Sequence, residues 1–154
     1  MNAKKGFTLV EILIVVIILG ILAAIVIPQF TEASNDARES ALVSDLQTVR
    51  SQLELYKVQH IERYPNLDED GAADTDNFVT RLTGRTDQDG KVNTSGAFGP
   101  YLQKFPTNPF ASTNSNGVTF GTADPAPGND NSGWYFNTST GKFSANDNST
   151  HAGL

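Results

Sequence analysis

The stretch Lys4–Pro28, KKGFTLVEILIVVIILGILAAIVIP, decides the fold of this chain. Two lysines open it, and no residue from Ile12 to Ile27 is charged or strongly polar. As a helix, the part from Phe7 to Ile27 would be roughly 31 Å long, which is close to the thickness of the hydrocarbon core of a bilayer. The stretch therefore predicts a membrane-spanning helix.

The flanks of this run predict its orientation. Lys4 and Lys5 precede it, so the positive-inside rule places them in the cytoplasm and sends the C-terminal side across the membrane. A cleaved secretory signal peptide, a plain signal anchor and a buried core helix are the competing interpretations. The signal peptide fits poorly because Ala23 and Ala24 lie inside the apolar core rather than after it. The length of the run and its lysine flank argue against a buried helix.

One carboxylate, Glu11, lies just inside the apolar run. A charge within a membrane span costs free energy, and a plain anchor has no use for it. Such a residue is a functional-site hypothesis whose partner has to be identified. The nearby cations are Lys4 and Lys5, and a cut after Gly6 would create one more, the α-ammonium group of Phe7.

The stretch resembles the class III leader and N-terminal helix of type IV pilins and type II secretion pseudopilins. The resemblance is carried by Gly6 before the cleavage point, Phe7 as the new N-terminus, Glu11 four residues later, and Pro28 at the end of the apolar run. It implies that a membrane aspartyl peptidase cuts after Gly6 and methylates the amine of Phe7. It also implies that the helix between Gly20 and Pro28 unwinds in the filament.

The resemblance gives Glu11 a role. In a helical filament the apolar helices would pack together, and the Glu11 carboxylate would meet the Phe7 ammonium of a neighbouring subunit. Two unit charges about 4 Å apart attract by roughly 4 kcal/mol at an effective dielectric of 20. Stranding one buried charge costs more than the pair gains. Glu11 is therefore expected to set the register in which subunits assemble. Gly20 and Pro28 are expected to be the positions at which the helix is least stable.

After Pro28 the helical pattern becomes amphipathic. It predicts that the helix continues to about Tyr64, where Pro65 would end it. About 90 residues follow, so the apolar face is expected to pack on the chain's own C-terminal domain rather than in a free coiled coil. That face, spaced alternately by four and three residues, consists of Leu42, Leu46, Val49, Leu53 and Tyr56.

The remaining residues predict loops and short strands. A short helix is expected at Asn77–Leu82 and a turn at Asp89–Gly90. The segments GVTF, GWYFN and GKFSA predict three strands, the last two joined by a turn at 139–141. Aromatic side chains on the strands, namely Trp134, Phe136 and Phe143, could cover the helix.

The predicted fold is therefore α+β: a long N-terminal helix, transmembrane in its first third, with a small antiparallel sheet packed on its second half. The predicted divisions are a leader at 1–6, a transmembrane and filament-core helix at 7–28, an amphipathic helix at 29–64 and a loop-rich domain at 65–154.

Composition and motifs exclude several functions. The formal net charge is -6, so a basic nucleic-acid footprint is absent and no nucleic-acid partner is expected. The chain has no cysteine, which excludes disulfides and thiolate metal sites. His60 continues the helical face, and His151 lies in the C-terminal tail. The stretch GRTDQDGK departs from a phosphate-binding loop in its spacing and at Val92, so no enzyme activity is predicted.

Calcium is the one cofactor that the sequence leaves open. Asp and Asn oxygens are suitable hard ligands, and the candidate carboxylates are Asp124, Asp130 and Asp147. The resemblance implies a calcium site in a C-terminal loop, but the Asp-Gly-rich turn usual in major pseudopilins is missing before the last strand. A solvated acidic loop is the competing interpretation.

These observations favour a structural subunit of a type II secretion pseudopilus, most similar to the major pseudopilin. The resemblance implies a homo-oligomeric filament that drives protein export. Its partners would be a prepilin peptidase, minor pseudopilins, an inner-membrane assembly platform and, before assembly, membrane lipid. It also implies a single-pass inner-membrane protein with a periplasmic C-terminal domain. The alternatives are a type IV pilus subunit for adhesion, motility or DNA uptake, and a membrane-anchored ligand-binding ectodomain.

Overall fold

The computed structural model describes residues 6–154; Lys4, Lys5 and the rest of the predicted leader before Gly6 lie outside the described residues. The described chain divides into two compact units, the residues up to Glu39 and Ser40–Leu154. An α+β fold is confirmed. Its elements in chain order are α1 (Leu9–Gln59), α2 (Phe78–Thr83), β1 (Val118–Gly121), β2 (Trp134–Asn137), β3 (Phe143–Ala145) and a 3-10 helix (His151–Gly153).

Helix α1 runs without interruption through Pro28 and is 51 residues long. Its apolar face within Ser40–Leu154 is buried as predicted, because the four-and-three spacing keeps these side chains on one side of the helix. None of the five is more than 1% exposed: Leu42, Leu46, Val49, Leu53 and Tyr56.

The prediction that the helix reaches Tyr64 was wrong, because α1 ends at Gln59. Ile61 and Glu62 adopt positive φ angles of 56° and 59°, and the Glu62 N–H donates to the Lys57 carbonyl at 3.0 Å. This 6→1 hydrogen bond is the signature of a Schellman C-cap, whose left-handed position is usually glycine. The helix therefore ends in a C-cap several residues before Pro65.

The sheet has the three predicted strands in the order β1-β2-β3, but its pairing is mixed. β2 and β3 are antiparallel, with Phe136 opposite Phe143, as predicted. β1 and β2 are parallel, with Phe120 opposite Phe136, so the prediction of a wholly antiparallel sheet was wrong for this pair. A parallel pair needs a crossover connection, and the residues between Gly121 and Trp134 provide it.

The turn from β2 to β3 is tightly specified. The side-chain oxygen of Asn137 accepts hydrogen bonds from the backbone N–H groups of Ser139 (2.9 Å) and Thr140 (3.0 Å). Gly141 has a φ of 76°, and a Cβ there would overlap the ring of Tyr64. Glycine is thus required both by its backbone angle and by the close approach of the ring.

One hydrophobic core joins the second half of α1 to the sheet. Trp134, Phe136 and Phe143 are fully buried and belong to the same cluster as the apolar face of α1, as predicted. The Trp134 ring stacks on Phe143 at 5.3 Å between centroids, and its indole N–H donates to the Pro106 carbonyl at 3.0 Å. The sheet therefore packs on the second half of the long helix.

The loops between α1 and β1 are organised by Arg81, which lies on α2. Its side chain is 3% exposed and forms an ion pair with Asp74 at 2.7 Å. It also donates to the carbonyls of Gly90 (2.9 Å) and Pro65 (3.1 Å). One buried guanidinium thus ties together three loop segments that have little secondary structure of their own.

Candidate functional site

The candidate cleavage site lies immediately before α1. Gly6 is exposed, and a Cβ placed on it would have no atom within 4 Å. Phe7 is 84% exposed. The backbone between these two residues is therefore open to an approaching peptidase, as the predicted cut requires.

Glu11 lies in the first turn of α1, where it has a partner that the sequence analysis missed. Its carboxylate accepts hydrogen bonds from the Thr8 backbone N–H at 2.8 Å and from the Thr8 hydroxyl at 2.7 Å. The Glu11 N–H in turn donates to the Thr8 hydroxyl at 3.3 Å. This reciprocal pair is a capping box, and its sequence signature, Thr-x-x-Glu, was present at positions 8–11.

The capping box determines which hydrogen bonds the Glu11 carboxylate accepts in the single subunit. Two donors from Thr8 already satisfy part of its hydrogen-bonding capacity, so the charge does not enter the apolar segment alone. An ionised carboxylate near a helix N-terminus is also favoured by the helix dipole. A cation from a second subunit would therefore add to, or exchange with, an existing set of hydrogen bonds.

The apolar side chains that follow are exposed along the whole segment. Among the residues that the structure describes, one helix is long and apolar enough to cross a membrane. No part of its most apolar stretch is buried in the structure. Ile17, for example, is 53% exposed and Ile27 63%. Within the described residues, these side chains form a continuous exposed apolar surface, which is a feature typical of membrane or protein interaction sites.

The two predicted weak points, Gly20 and Pro28, both lie inside continuous helix. A Cβ on Gly20 would have no atom within 4 Å, so no packing contact requires glycine there. Proline at 28 removes one backbone donor from the helical ladder. Three residues later, the Thr31 hydroxyl donates to the Ile27 carbonyl at 3.2 Å. The helix is thus unbroken at both positions in the single subunit.

The three calcium candidates have separate partners. Asp124 forms an ion pair with Lys142 at 3.0 Å. The carboxylate of Asp130 accepts hydrogen bonds from the Ser112 N–H at 3.0 Å and from the Ser112 hydroxyl. The two carboxylates thus have different partners, and Lys142 supplies a cation where a calcium site would need another oxygen.

Asp147 is the most buried of the three, with a side chain 2% exposed. It accepts hydrogen bonds from the side-chain amides of Asn108 (2.7 Å) and Asn148 (2.6 Å), and His151 Nδ1 lies 2.5 Å from its Oδ2. Between residues 6 and 154, no group of three or more His, Asp or Glu side chains gathers as a metal site. The donor set as arranged does not fit calcium, whose binding remains a prediction.

His60 is a buried structural residue, 1% exposed. Its ring stacks on Tyr56 at 3.7 Å between centroids. Nδ1 donates to the Tyr56 carbonyl at 2.8 Å, and Nε2 lies 2.8 Å from the Thr86 hydroxyl, which donates to it when the ring is neutral. Burial lowers the pKa of His60 from its ordinary value, 6.5. The helical face left a packing or a surface position open for His60, and only the fold brings Thr86 to it.

Comparison with known proteins agrees with this geometry. Residues 1–27 match the family described as "Prokaryotic N-terminal methylation motif". The chain is 35% identical over 107 residues to type II secretion system core protein G of Pseudomonas aeruginosa, which covers 70% of this chain and 68% of that protein.

Two further relatives carry the same name. The protein from Vibrio cholerae is 30% identical over 110 residues, covering 71% of this chain and 68% of its own length. The one from Dickeya chrysanthemi is 39% identical over a shorter match, 43% of this chain and 42% of its own length. No solved structure matches the chain. The open Gly6–Phe7 bond, the capped carboxylate and the uncovered apolar helix thus occur in a chain that belongs to the type II secretion system core protein G family.

Proposed function

We propose that this chain is the structural subunit of a type II secretion pseudopilus, cut after Gly6 and assembled into a helical filament that drives protein export. The observation that carries the proposal is the uncovered apolar half of α1. Every side chain from Phe7 to Ala41 is exposed, although most of the first two thirds are apolar. A segment of this kind is stable only in lipid or packed against copies of itself.

The proposed function places the subunit in lipid first and in the filament afterwards. Before assembly the apolar half of α1 spans the inner membrane once, with the unit Ser40–Leu154 on the periplasmic side. The predicted peptidase removes the leader and methylates Phe7. Minor pseudopilins and an inner-membrane platform then guide the subunit from lipid into the filament, where neighbouring helices replace the lipid contacts.

Glu11 is proposed to act at the transfer between these environments. In the membrane its carboxylate accepts hydrogen bonds from Thr8, and in the filament it also forms an ion pair with the Phe7 ammonium of a neighbour. A subunit that docks out of register would leave one of the two charges buried and unpaired, at a cost of several kcal/mol. The pairing therefore selects one register.

The segment from Gly20 to Pro28 is proposed to unwind on assembly. Glycine has a low helix propensity, and proline lacks the backbone donor, so this part of α1 is the easiest to open. A filament reconstruction should show non-helical density between these two residues. Unbroken helical density there would contradict the proposal.

The proposed function is tested by expressing the full chain with a complete secretion system. Sheared cells should yield fibres visible by electron microscopy, and mass spectrometry should find a mature N-terminus at Phe7 with one added methyl group. Gly6→Leu should block processing and leave membrane insertion intact, because the peptidase needs free access to the backbone at this point.

The matched control is Gly153→Leu, since Gly153 is also open to a Cβ without contact. This variant should be processed normally. A mature N-terminus at Phe7 in Gly6→Leu would overturn the role of Gly6. Absence of fibres from the unmodified chain, with processing intact, would overturn the filament proposal itself.

A further inference from the structure

Six side chains form a groove on α1 at the end of the apolar run, within the unit that ends at Glu39. They are spaced alternately by three residues and one residue, so they share one face of the helix. All six are exposed, and the groove has a volume of about 380 Å³. It is lined by Ile27, Phe30, Thr31, Ser34, Asn35 and Arg38. We call this set the 27–38 groove.

The 27–38 groove changes in polarity along the helix. Its first two residues, Ile27 and Phe30, are apolar and 63% and 72% exposed. Hydroxyl and amide side chains follow at positions 31, 34 and 35, and the guanidinium group of Arg38 ends the groove. A phospholipid presents a corresponding order of groups, from acyl chain through ester oxygens to phosphate, between the hydrocarbon core and water.

The guanidinium group of Arg38 is available to an outside partner. Among the ion pairs of residues 6–154, none includes Arg38. The side chains one helical turn before it, Ser34 and Asn35, are uncharged. The acidic residues of this segment lie about 100° or more around α1 from Arg38; they are Glu32, Asp36 and Glu39. The groove therefore presents one positive charge that no carboxylate on its own face offsets.

The position of Arg38 along α1 suits the depth of lipid phosphates. The apolar part of the groove ends at Phe30, and Arg38 lies about 12 Å further along the helix axis. The head-group layer on each side of a bilayer is roughly 5–8 Å thick. Side chains on a helix point toward its N-terminus, which is the membrane side here, and the long arginine stem spans the remaining distance to the polar head groups.

We infer that the 27–38 groove binds one phospholipid of the periplasmic leaflet, with Arg38 on the lipid phosphate and Ile27 and Phe30 against an acyl chain. The inference rests on the proposed function, because it needs α1 to span the inner membrane before assembly. A guanidinium group and a phosphate form charge-assisted, bidentate hydrogen bonds. The contact holds the unassembled subunit at one depth, and transfer into the filament releases the lipid.

The charges around the groove select the class of head group. Glu32, Asp36 and Glu39 lie on the other sides of the same segment, so they repel a head group that carries a net negative charge. In a zwitterionic phospholipid the phosphate is balanced by an ammonium group of the same molecule. A zwitterionic phospholipid is therefore the occupant that fits both the single cation of the groove and the acidic residues around it.

Native mass spectrometry of the full chain in detergent, titrated with phosphatidylethanolamine, measures the binding of the first lipid. Arg38→Gln should weaken this binding at least tenfold, because the phosphate loses its ionic partner. Arg38→Lys should weaken it less, since the charge remains and only the bidentate geometry is lost. Lys104→Gln is the matched control, because Lys104 is exposed and lies outside the groove. Its affinity for the lipid should equal that of the unmodified chain.

Photo-cross-linking gives an independent readout in a bilayer. In nanodiscs of phosphatidylethanolamine with a photoreactive group beside the phosphate, cross-links to the unmodified chain should concentrate at residues 31–38. Arg38→Gln should lose them. Added inorganic phosphate should not displace them, because it lacks the acyl chain that Ile27 and Phe30 contact. Phosphatidylglycerol, whose head group is anionic, should compete no better than unlabelled phosphatidylethanolamine.

The outcomes separate this inference from the proposed function. Equal lipid affinity of Arg38→Gln and the unmodified chain would overturn the inference, as would an equal loss of affinity in Lys104→Gln. Tighter binding of phosphatidylglycerol would overturn the zwitterionic head group, and displacement by inorganic phosphate would overturn a lipid as the source of the phosphate. If Arg38→Gln does not insert, the unmodified chain decides, and cross-links spread evenly along α1 would contradict the groove. An unmodified chain that binds the lipid but makes no filaments would instead contradict the proposed function alone.

Discussion

The two units of this chain share one helix and use it in opposite ways. The part of α1 up to Glu39 buries none of its side chains. In the first two thirds of this part, almost all of these exposed side chains are apolar. From Ser40 onward, the same helix buries a narrow apolar face under aromatic side chains of the sheet. The second unit has a hydrophobic core of its own, whereas the described apolar side chains of the first unit are exposed. The contrast indicates that folding and assembly are encoded in separate halves of the chain.

The strongest test of this separation is a substitution of Glu11, which should abolish filament assembly completely and leave folding intact. Glu11→Ala should remain membrane-inserted and folded but form no filaments, because a neighbour's Phe7 ammonium would lose its partner. Glu11→Gln preserves the capping box with Thr8 and removes only the charge. It should therefore fail as Glu11→Ala does, and Glu11→Asp should be intermediate.

Electron microscopy of sheared cells measures this prediction, with the melting temperature of the detergent-solubilised chain as the control for folding. Normal filaments from Glu11→Gln would show that the carboxylate acts through the cap. Normal filaments from Glu11→Ala would refute both accounts.

The next test compares two leucines on α1. Leu46 is 1% exposed, and Leu19 is 58% exposed. Leu46→Ala should lower the free energy of unfolding of the Ser40–Leu154 unit by about 2–5 kcal/mol, because it leaves a cavity in the core. Leu19→Ala should leave that free energy unchanged within about 0.5 kcal/mol. Chemical denaturation of the full chain in detergent, followed by Trp134 fluorescence, measures both; equal effects would contradict the separation.

A smaller effect should follow from His60, which belongs to the folded unit alone. Its pKa is lowered in the folded state by burial, so the unfolded chain binds a proton more readily. The stabilising contribution is fully present above pH 6.5, the ordinary pKa, and is lost as the pH falls through this value and toward the folded pKa. Stability should therefore fall by at most about 1.4 kcal/mol per pH unit in this window.

His60→Gln should flatten this pH dependence, because it removes the titrating group. It should also destabilise the unit at neutral pH, since the hydrogen bonds to Tyr56 and Thr86 are lost or altered. A His60→Gln chain with the same dependence between pH 7 and 5 would place the titration elsewhere. His151→Gln serves as the second-histidine control.

The smallest expected effect concerns calcium. Asp124, Asp130 and Asp147 each have protein partners, so removing calcium with a chelator should shift the melting temperature of the folded unit by less than about 2 °C. Isothermal titration of the chelated chain is the direct measurement. A saturable calcium signal, lost in Asp147→Asn, would show that the loops rearrange into the site that the family resemblance implies.

Sequence reasoning succeeded where a structural feature depends on neighbours along the chain. The apolar run, the buried face from Leu42 to Tyr56 and the three strands are all readable because helix and strand periodicities are local. The Thr8–Glu11 capping box was missed, although its four-residue signature is local in the same way. The candidate site of Gly6, Phe7 and Glu11 could be proposed from the sequence because all three residues lie within one short segment, and its role stays a prediction.

Several features were decided only by tertiary structure, because they join residues far apart in sequence. Helix α1 ends at Gln59, where Ile61 and Glu62 adopt positive φ angles, and the adjacent His60 reaches Thr86, a contact that no local pattern around Pro65 indicates. The parallel pairing of β1 with β2 depends on the path of the crossover between them. The separate partners of Asp124, Asp130 and Asp147 depend on which loops the fold brings together. The sequence by itself determined that this chain has a long apolar helical segment followed by a domain that packs on an amphipathic helix, because both patterns are local. Only the packed structure decided which polar groups inside that domain pair with one another, because those partners lie far apart in sequence.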